Sequence, residues 1–244
     1  HDTYAIAYYG YNQPTDNAWG GWIKTFTVNG GTITEVAKLK HFTSNVYHNS
    51  FIKVDENTFA LAWSDNYQDG LITTFTIPAD GSTITEVATL EHDTDLGRWP
   101  SFEQLDSDTY VLAYTGTGND GFIKTFTIAA DGATITQVAS LEHDETYGIY
   151  NSLIKTDLNT FLLAYSGDGD DGYAKTFTIP ADGSSITQVA NVEHDINYSA
   201  YNSLAQIDGD SYVLAMYGHN THTGTASNGA YVRTLDTPTL ATAT

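Results

Sequence analysis

Hydrophobic and polar positions along the chain follow a pattern that returns every 51 residues, marked by Ile33, Ile84, Ile135 and Ile186. Each of these opens an Ile-Thr-Glu/Gln-Val segment. Upstream lies Thr-Phe-Thr, at 25–27, 74–76, 125–127 and 176–178, with a degenerate last copy at 233–235. Further upstream comes an apolar stretch: 4–8, 59–63, 110–114, 161–165 and 212–217. A loop ending in Asn-Ser or Pro-Ser follows each Ile-Thr segment, at 49–50, 100–101, 151–152 and 202–203. Self-similarity at a fixed period of this size is the mark of a repeat architecture.

One unit reads as four short strands, which in the fourth copy are 152–156 (A), 160–166 (B), 173–179 (C) and 185–193 (D). Strand C alternates Thr and Lys with aromatic residues and Ile, as a half-buried strand does. Strand B is apolar on both faces and is therefore expected to be covered on both. Its alanines (Ala62, Ala113, Ala164, Ala215) suit close approach of neighbouring sheets. Asp80-Gly81, Asp131-Gly132 and Asp182-Gly183 predict tight C-to-D hairpins of purely structural role. No helical period is present. The expected fold is all-β: one five-bladed β-propeller of four-stranded antiparallel meander blades, with units near 1–48, 49–99, 100–150, 151–201 and 202–244. At the level of architecture the chain resembles bacterial propeller-repeat domains and five-bladed tachylectin-type lectins. The resemblance implies a binding propeller and fixes no site residue. The first unit lacks a strand A, as expected of a fragment of a longer protein, and the Thr-rich 236–244 is a candidate extra strand.

Composition narrows the function. The 244 residues carry 30 acidic and 9 basic side chains, a formal charge of -21, which excludes a duplex-nucleic-acid binder. The absence of cysteine removes disulfides and thiolate zinc sites. No apolar run is long enough for a membrane span, and no secretory leader pattern opens the chain. Hydrophobic content of 41% is enough for a core.

In a meander, the D-to-A and B-to-C loops share one end of each sheet, so the long loops converge there and carry the candidate chemistry. The D-to-A loops supply a histidine (His41, His92, His143, His194) and a ring or imidazole before the Asn/Pro-Ser: His48, Trp99, Tyr150 and Tyr201. Trp19 and Trp22 lie in or beside the long first B-to-C loop; His219 and His222 lie in the last. Aromatic faces that stack on a pyranose, beside amides that pair with hydroxyls, form a sugar site. The candidate ligand-binding set is Trp19, Trp22, His48, Trp99, Tyr150, Asn151, Tyr201, Asn202, His143 and His194. Equivalent weak sites would gain by avidity. A structural reading stands beside it: the loop histidines pin the blades by bonding Asp69, Asp120 and Asp171, and Lys24, Lys124, Lys175 and Arg233 pair with carboxylates across strands.

Calcium is the one candidate cofactor. Gly-Asp-Gly-Asp-Asp-Gly at 167–172 gathers oxygen ligands on Asp168, Asp170 and Asp171, without the glutamate of an EF-hand. Catalysis needs carboxylates that break the repeat; Glu103 does so and lacks an evident partner. The expectation is therefore a secreted, non-catalytic carbohydrate-binding module acting on a cell-surface or matrix glycan. An adhesin or surface-layer interaction domain that meets other protein chains is the alternative, and glycoside hydrolysis the third reading.

Overall fold

Each repeat folds into one antiparallel meander, and the five meanders follow each other in chain order. The first sheet is β1 (Asp2–Asn12), β2 (Ala18–Asn29) and β3 (Thr32–Phe42). The second is β4 (Tyr47–Lys53), β5 (Thr58–Ser64), β6 (Gly70–Thr76) and β7 (Thr85–Asp93). The third is β8 (Arg98–Gln104), β9 (Thr109–Thr115), β10 (Gly121–Ile128) and β11 (Ile135–Asp144). The fourth is β12 (Ile149–Asp157), β13 (Thr160–Ser166), β14 (Gly172–Thr178) and β15 (Thr187–Asp195). The fifth is β16 (Ser199–Asp208), β17 (Ser211–His219) and β18 (Asn228–Asp236). The fold is all-β, a five-bladed β-propeller by class. The structure, a computed structural model, describes residues 2–12, 17–219 and 228–236. Among these, the first and fifth blades have three strands, the first lacking a strand A as its sequence indicates. His222 and 237–244, the bulk of the candidate extra strand, lie outside the described residues.

Two compact units divide the chain: 1–98 with 127–136, and 99–126 with 137–244. In the first, Ile23, Val46, Leu61, Trp63, Phe75 and Ile77 form the core. In the second, one cluster gathers Val111, Ile123, Leu153, Phe161 and Phe177, and another gathers Leu162, Ala174, Leu204, Tyr212 and Met216. Strand B is buried on both faces, as its sequence requires: every residue of β9 is buried. Each such large side chain contributes about 1.5–3 kcal/mol of transfer free energy.

The first threonine of the first three Thr-Phe-Thr copies, Thr25, Thr74 and Thr125, fastens one blade to the next. Thr25 Oγ1 accepts from the Ala37 amide at 3.0 Å and donates to the Gly81 carbonyl of the next blade's hairpin at 2.7 Å. Thr74 does the same with Ala88 (3.1 Å) and Gly132 (2.7 Å), and Thr125 with Ala139 (2.9 Å) and Gly183 (2.8 Å). The Ala37 and Ala88 amides are free for this because the sheet register slips beside Thr25 and Thr74. Glycine is required at the hairpin tip, since Gly81 has φ +67° and a Cβ there would lie 2.7 Å from Thr3 Cγ2. The Asp-Gly turns are thus interblade contacts as well as hairpins.

The loop histidines pack rather than pair with aspartate. His41 meets Trp63 edge-on at 5.1 Å, and His143 meets Tyr165 at 4.9 Å. Neither ring nitrogen of His41 or His143 has a hydrogen-bond partner, so the bonds to Asp69, Asp120 or Asp171 that would pin the blades through these two rings are not formed. Each imidazole lies against the glycine that opens strand C: a Cβ on Gly121 would stand 2.5 Å from His143 Cε1, and one on Gly172 2.4 Å from His194 Cε1. Burial lowers His41 and His194 to about 4 and His143 to about 3. The strand-C cations cross between blades. Lys175 and Arg233 donate to the His143 and His194 carbonyls and pair with Asp144 (3.7 Å) and Asp195 (2.8 Å). Lys24 pairs within its own sheet, with Glu35 at 2.7 Å.

Two outcomes follow. Gly121→Ala should cost about 1–3 kcal/mol by urea denaturation, whereas Gly209→Ala, where a Cβ meets nothing within 4 Å, should be near neutral. The buried histidines bind protons only when the chain unfolds, so stability should fall as pH drops from about 6.5 toward 4. The slope is up to about 1.4 kcal/mol per pH unit for each histidine, and denaturation at pH 7, 6 and 5 reads it.

Candidate functional site

At the start of each strand A the backbone makes the same unusual turn. His48, Trp99, Tyr150 and Tyr201 have φ of 52°, 47°, 54° and 54°, the left-handed region that bulky side chains rarely enter. The sheet register slips at this point in β4, β12 and β16. This is a bulge, which re-aims one side chain out of the strand's alternation. In the second unit the re-aimed rings meet. Trp99 and Tyr150 centroids are 4.9 Å apart, and Tyr150 and Tyr201 4.5 Å. Three successive blades thereby build one aromatic wall, ending in Tyr201, which is 68% exposed.

The asparagines after these rings hold the wall and do not face a ligand. Asn151 Nδ2 donates to the Trp99 carbonyl (3.5 Å), Thr115 Oγ1 (3.3 Å) and the Gly148 carbonyl (3.2 Å), and the residue is buried. Asn202 Nδ2 donates to the Tyr150 carbonyl at 3.2 Å, while its Oδ1 accepts from Ser199 Oγ at 2.9 Å. Each amide thus clamps the left-handed residue of the preceding blade. Ser101 and Ser152 add a second stitch, accepting from the Leu153 and Leu204 amides at 2.8 and 3.0 Å. Burial, and then the Tyr201 hydroxyl, push Tyr150 up to about 12, so it is a neutral donor at physiological pH.

Carboxylates and two more tyrosines border the wall. Thr146, Tyr147, Asp168, Gly169 and Asp170 line a shallow pocket of about 380 Å³. Asp170 too is left-handed, with φ 64°. Burial, and then Asp170, raise the Tyr147 and Tyr198 hydroxyls. Tyr198 and Tyr147 also act on Tyr150, which places all three tyrosines and Asp170 in one neighbourhood. Asp144 and Asp195 fix the loops by accepting from the amides of Tyr147 (3.2 Å) and Asn197 (3.2 Å). Asp171 is not among the residues that line the pocket; the Glu193 carboxyl is raised by burial and then by Asp171.

The remaining sequence candidates separate. Trp22 is buried in the first unit (2% exposed) and donates to the Gly10 carbonyl, so it belongs to the core. His143 is buried against Tyr165 and Phe177, and His194 stands over Gly172; both support the blades. Trp19 is 56% exposed, stacked on Tyr9 at 5.3 Å and near Tyr11 at 5.6 Å. Tyr9 donates to Asn45, which donates to Tyr47, so the first unit carries an aromatic patch of its own. His48 lies beside Tyr47, lowered to about 4 by burial and then by Arg98. Sequence reading missed Tyr147 and Tyr198; their signal is the aromatic two residues after the glutamate or isoleucine that follows His-Asp.

For calcium, Asp168 and Asp170 line the pocket and Asp171 does not. Among the described residues no three His, Cys, Asp or Glu side chains converge in a metal-holding group. Glu103, on β8, is half-buried. Burial raises its carboxyl, and Lys155 from β12 opposes the rise.

No protein-family model matches the chain. No curated protein matches it either. Solved structures do. The NanB sialidase of Streptococcus pneumoniae is 16% identical with a TM-score of 0.63, over 90% of this chain and 36% of that one. The periplasmic gluconolactonase of Pseudomonas aeruginosa is 13% identical with a TM-score of 0.64, over 96% and 68%. The α-L-arabinanase of Penicillium chrysogenum, solved with arabinobiose, is 14% identical with a TM-score of 0.51, over 82% and 65%. The chain thus spans about a third of the sialidase. At these identities the likeness is one of fold, and the fold is a β-propeller. It also corrects the expectation of a non-catalytic binding module: these neighbours are enzymes, so the architecture does not point to binding alone.

Asn202→Ala should release the Tyr150 carbonyl clamp, cost about 1–3 kcal/mol, and weaken the near-ultraviolet circular dichroism of the Trp99–Tyr150–Tyr201 wall.

Proposed function

We propose that the protein is a carbohydrate-active propeller. A glycan chain lies on the wall of Trp99, Tyr150 and Tyr201, and Asp168 and Asp170 stand at its margin as the carboxylates. The observation that carries this reading is the left-handed backbone at three successive aromatic residues, each clamped from the next blade or stacked on its neighbour. Strain of about 1–3 kcal/mol per residue persists where the surrounding structure over-determines it, which is characteristic of functional sites. Aromatic side chains with a few placed polar groups beside them are also the usual lining of a small-molecule site. The arabinanase complex and the sialidase support carbohydrate as the ligand class. The reading places the chain outside the cytoplasm, where polymeric glycans are met; the likeness to a periplasmic gluconolactonase supports that. No described helix is long and apolar enough to cross a membrane.

The test is incubation with a panel of polysaccharides, reading both retention on the insoluble polymer and release of new reducing ends. Trp99→Ala with Tyr150→Ala should lower retention at least tenfold, about 1.4 kcal/mol, with unchanged far-ultraviolet circular dichroism. Asp170→Asn should lower turnover more than retention. A wild-type chain that neither holds nor cleaves any glycan would remove this reading.

A further inference from the structure

The charges around the wall say what kind of glycan it takes. Arg98, directly before Trp99 on β8, acts on His48, and the second unit contains four further cationic side chains, Lys124, Lys155, Lys175 and Arg233. Each is committed elsewhere. Lys124 lies over the Tyr114 ring at 5.3 Å. Lys155 donates to the Leu105 carbonyl at 2.5 Å. Lys175 donates to the His143 carbonyl and lies over Tyr165 at 5.2 Å. Arg233 is held by the His194 carbonyl and by Asp195 at 2.8 Å. The groups that do face the pocket beside the wall are Asp168, Asp170 and the Tyr147 hydroxyl.

A sugar carboxylate is recognised by a bidentate arginine or a lysine. Set against Asp168 and Asp170 it would meet like charge instead, which disfavours binding. Tyrosine hydroxyls kept neutral, and aromatic faces, serve the hydroxyls and C–H faces of uncharged pyranose or furanose rings equally well. Resting on the carbohydrate reading above, we infer that the wall selects uncharged glycan chains and rejects those bearing sialic or uronic acid.

Isothermal titration of the purified chain tests this with cellohexaose, xylohexaose and arabinohexaose as neutral probes, oligogalacturonate hexamer and 3′-sialyllactose as anionic ones, and chitosan hexamer as the cationic one. At low salt at least one neutral hexasaccharide should bind ten or more times tighter than either anionic probe. The gap should narrow several-fold in 0.5 M NaCl and in Asp168→Asn/Asp170→Asn. Anionic probes binding as tightly as the best neutral one, chitosan binding no tighter than the anionic probes, or a gap unchanged in the double variant, would each overturn the inference while leaving the wall a glycan site. Silence on every probe would overturn the carbohydrate reading and the inference with it.

Discussion

A threonine hydroxyl buried between two sheets can either donate or accept, and at Thr25, Thr74 and Thr125 it does both. Each accepts an amide left over by a slip in its own sheet and donates to the hairpin carbonyl of the next. Valine has the same shape and would strand two backbone polar groups in the interior, a loss of about 1–3 kcal/mol each. The hairpin glycine is set by the same contact: only a residue without Cβ takes φ near +67° with its carbonyl against a threonine. Three parts of the repeat that lie far apart in sequence are therefore one device: Thr-Phe-Thr, the alanine of strand D and the Asp-Gly turn.

The aromatic wall adds a second set of contacts between successive blades, of which Thr125 fastens the third to the fourth. Fixing successive blades at a constant offset brings their A strands within hydrogen-bond reach, so Ser101 and Ser152 can accept from Leu153 and Leu204. The same closeness lets Asn151 and Asn202 clamp the carbonyls of Trp99 and Tyr150. A tryptophan or tyrosine in left-handed backbone is costly alone. Here the following blade supplies the compensating bonds, and the ring is released from the strand's alternation to meet its neighbours. Structure and site are therefore coupled, and a residue that weakens the interblade contacts reaches the wall.

The fold was legible because its signal is periodic. The 51-residue spacing, the doubly apolar strand B and the Asp-Gly turns each have a local physical meaning, and strand B of the fourth blade lies where the pattern places it, at Thr160–Ser166. The site was only partly legible. Trp99, Tyr150 and Tyr201 stand out as aromatics at one repeat position, but nothing local announces that they turn left-handed. Asn151 and Asn202 have the chemistry of sugar ligands and spend it on backbone carbonyls one blade away. Trp22 and His143 look like binding residues in a loop and are enclosed by packing. His143 lies over Gly121, and the glycine was the clue: its missing side chain is the space the imidazole fills. Reaches across sheets, such as Lys175 to Asp144, are set by the offset of one blade from the next, which no window of sequence contains.

Repetition and departure from it divide the labour along the A strands. A binding wall profits from repetition, because rings at equivalent positions meet, tilted against each other, when the blades keep one offset. Acid–base chemistry requires the opposite, a group whose surroundings differ from those of its copies. Glu103 is such a group: the corresponding positions are Ile52, Ile154 and Ala205. It lies two residues beyond Ser101, so strand alternation puts it on the face from which Ser101 reaches Leu153. Burial raises its carboxyl and Lys155 from the next A strand opposes the rise. Among the described A strands, the one that opens the wall with Trp99 thus also carries the one carboxylate at its register.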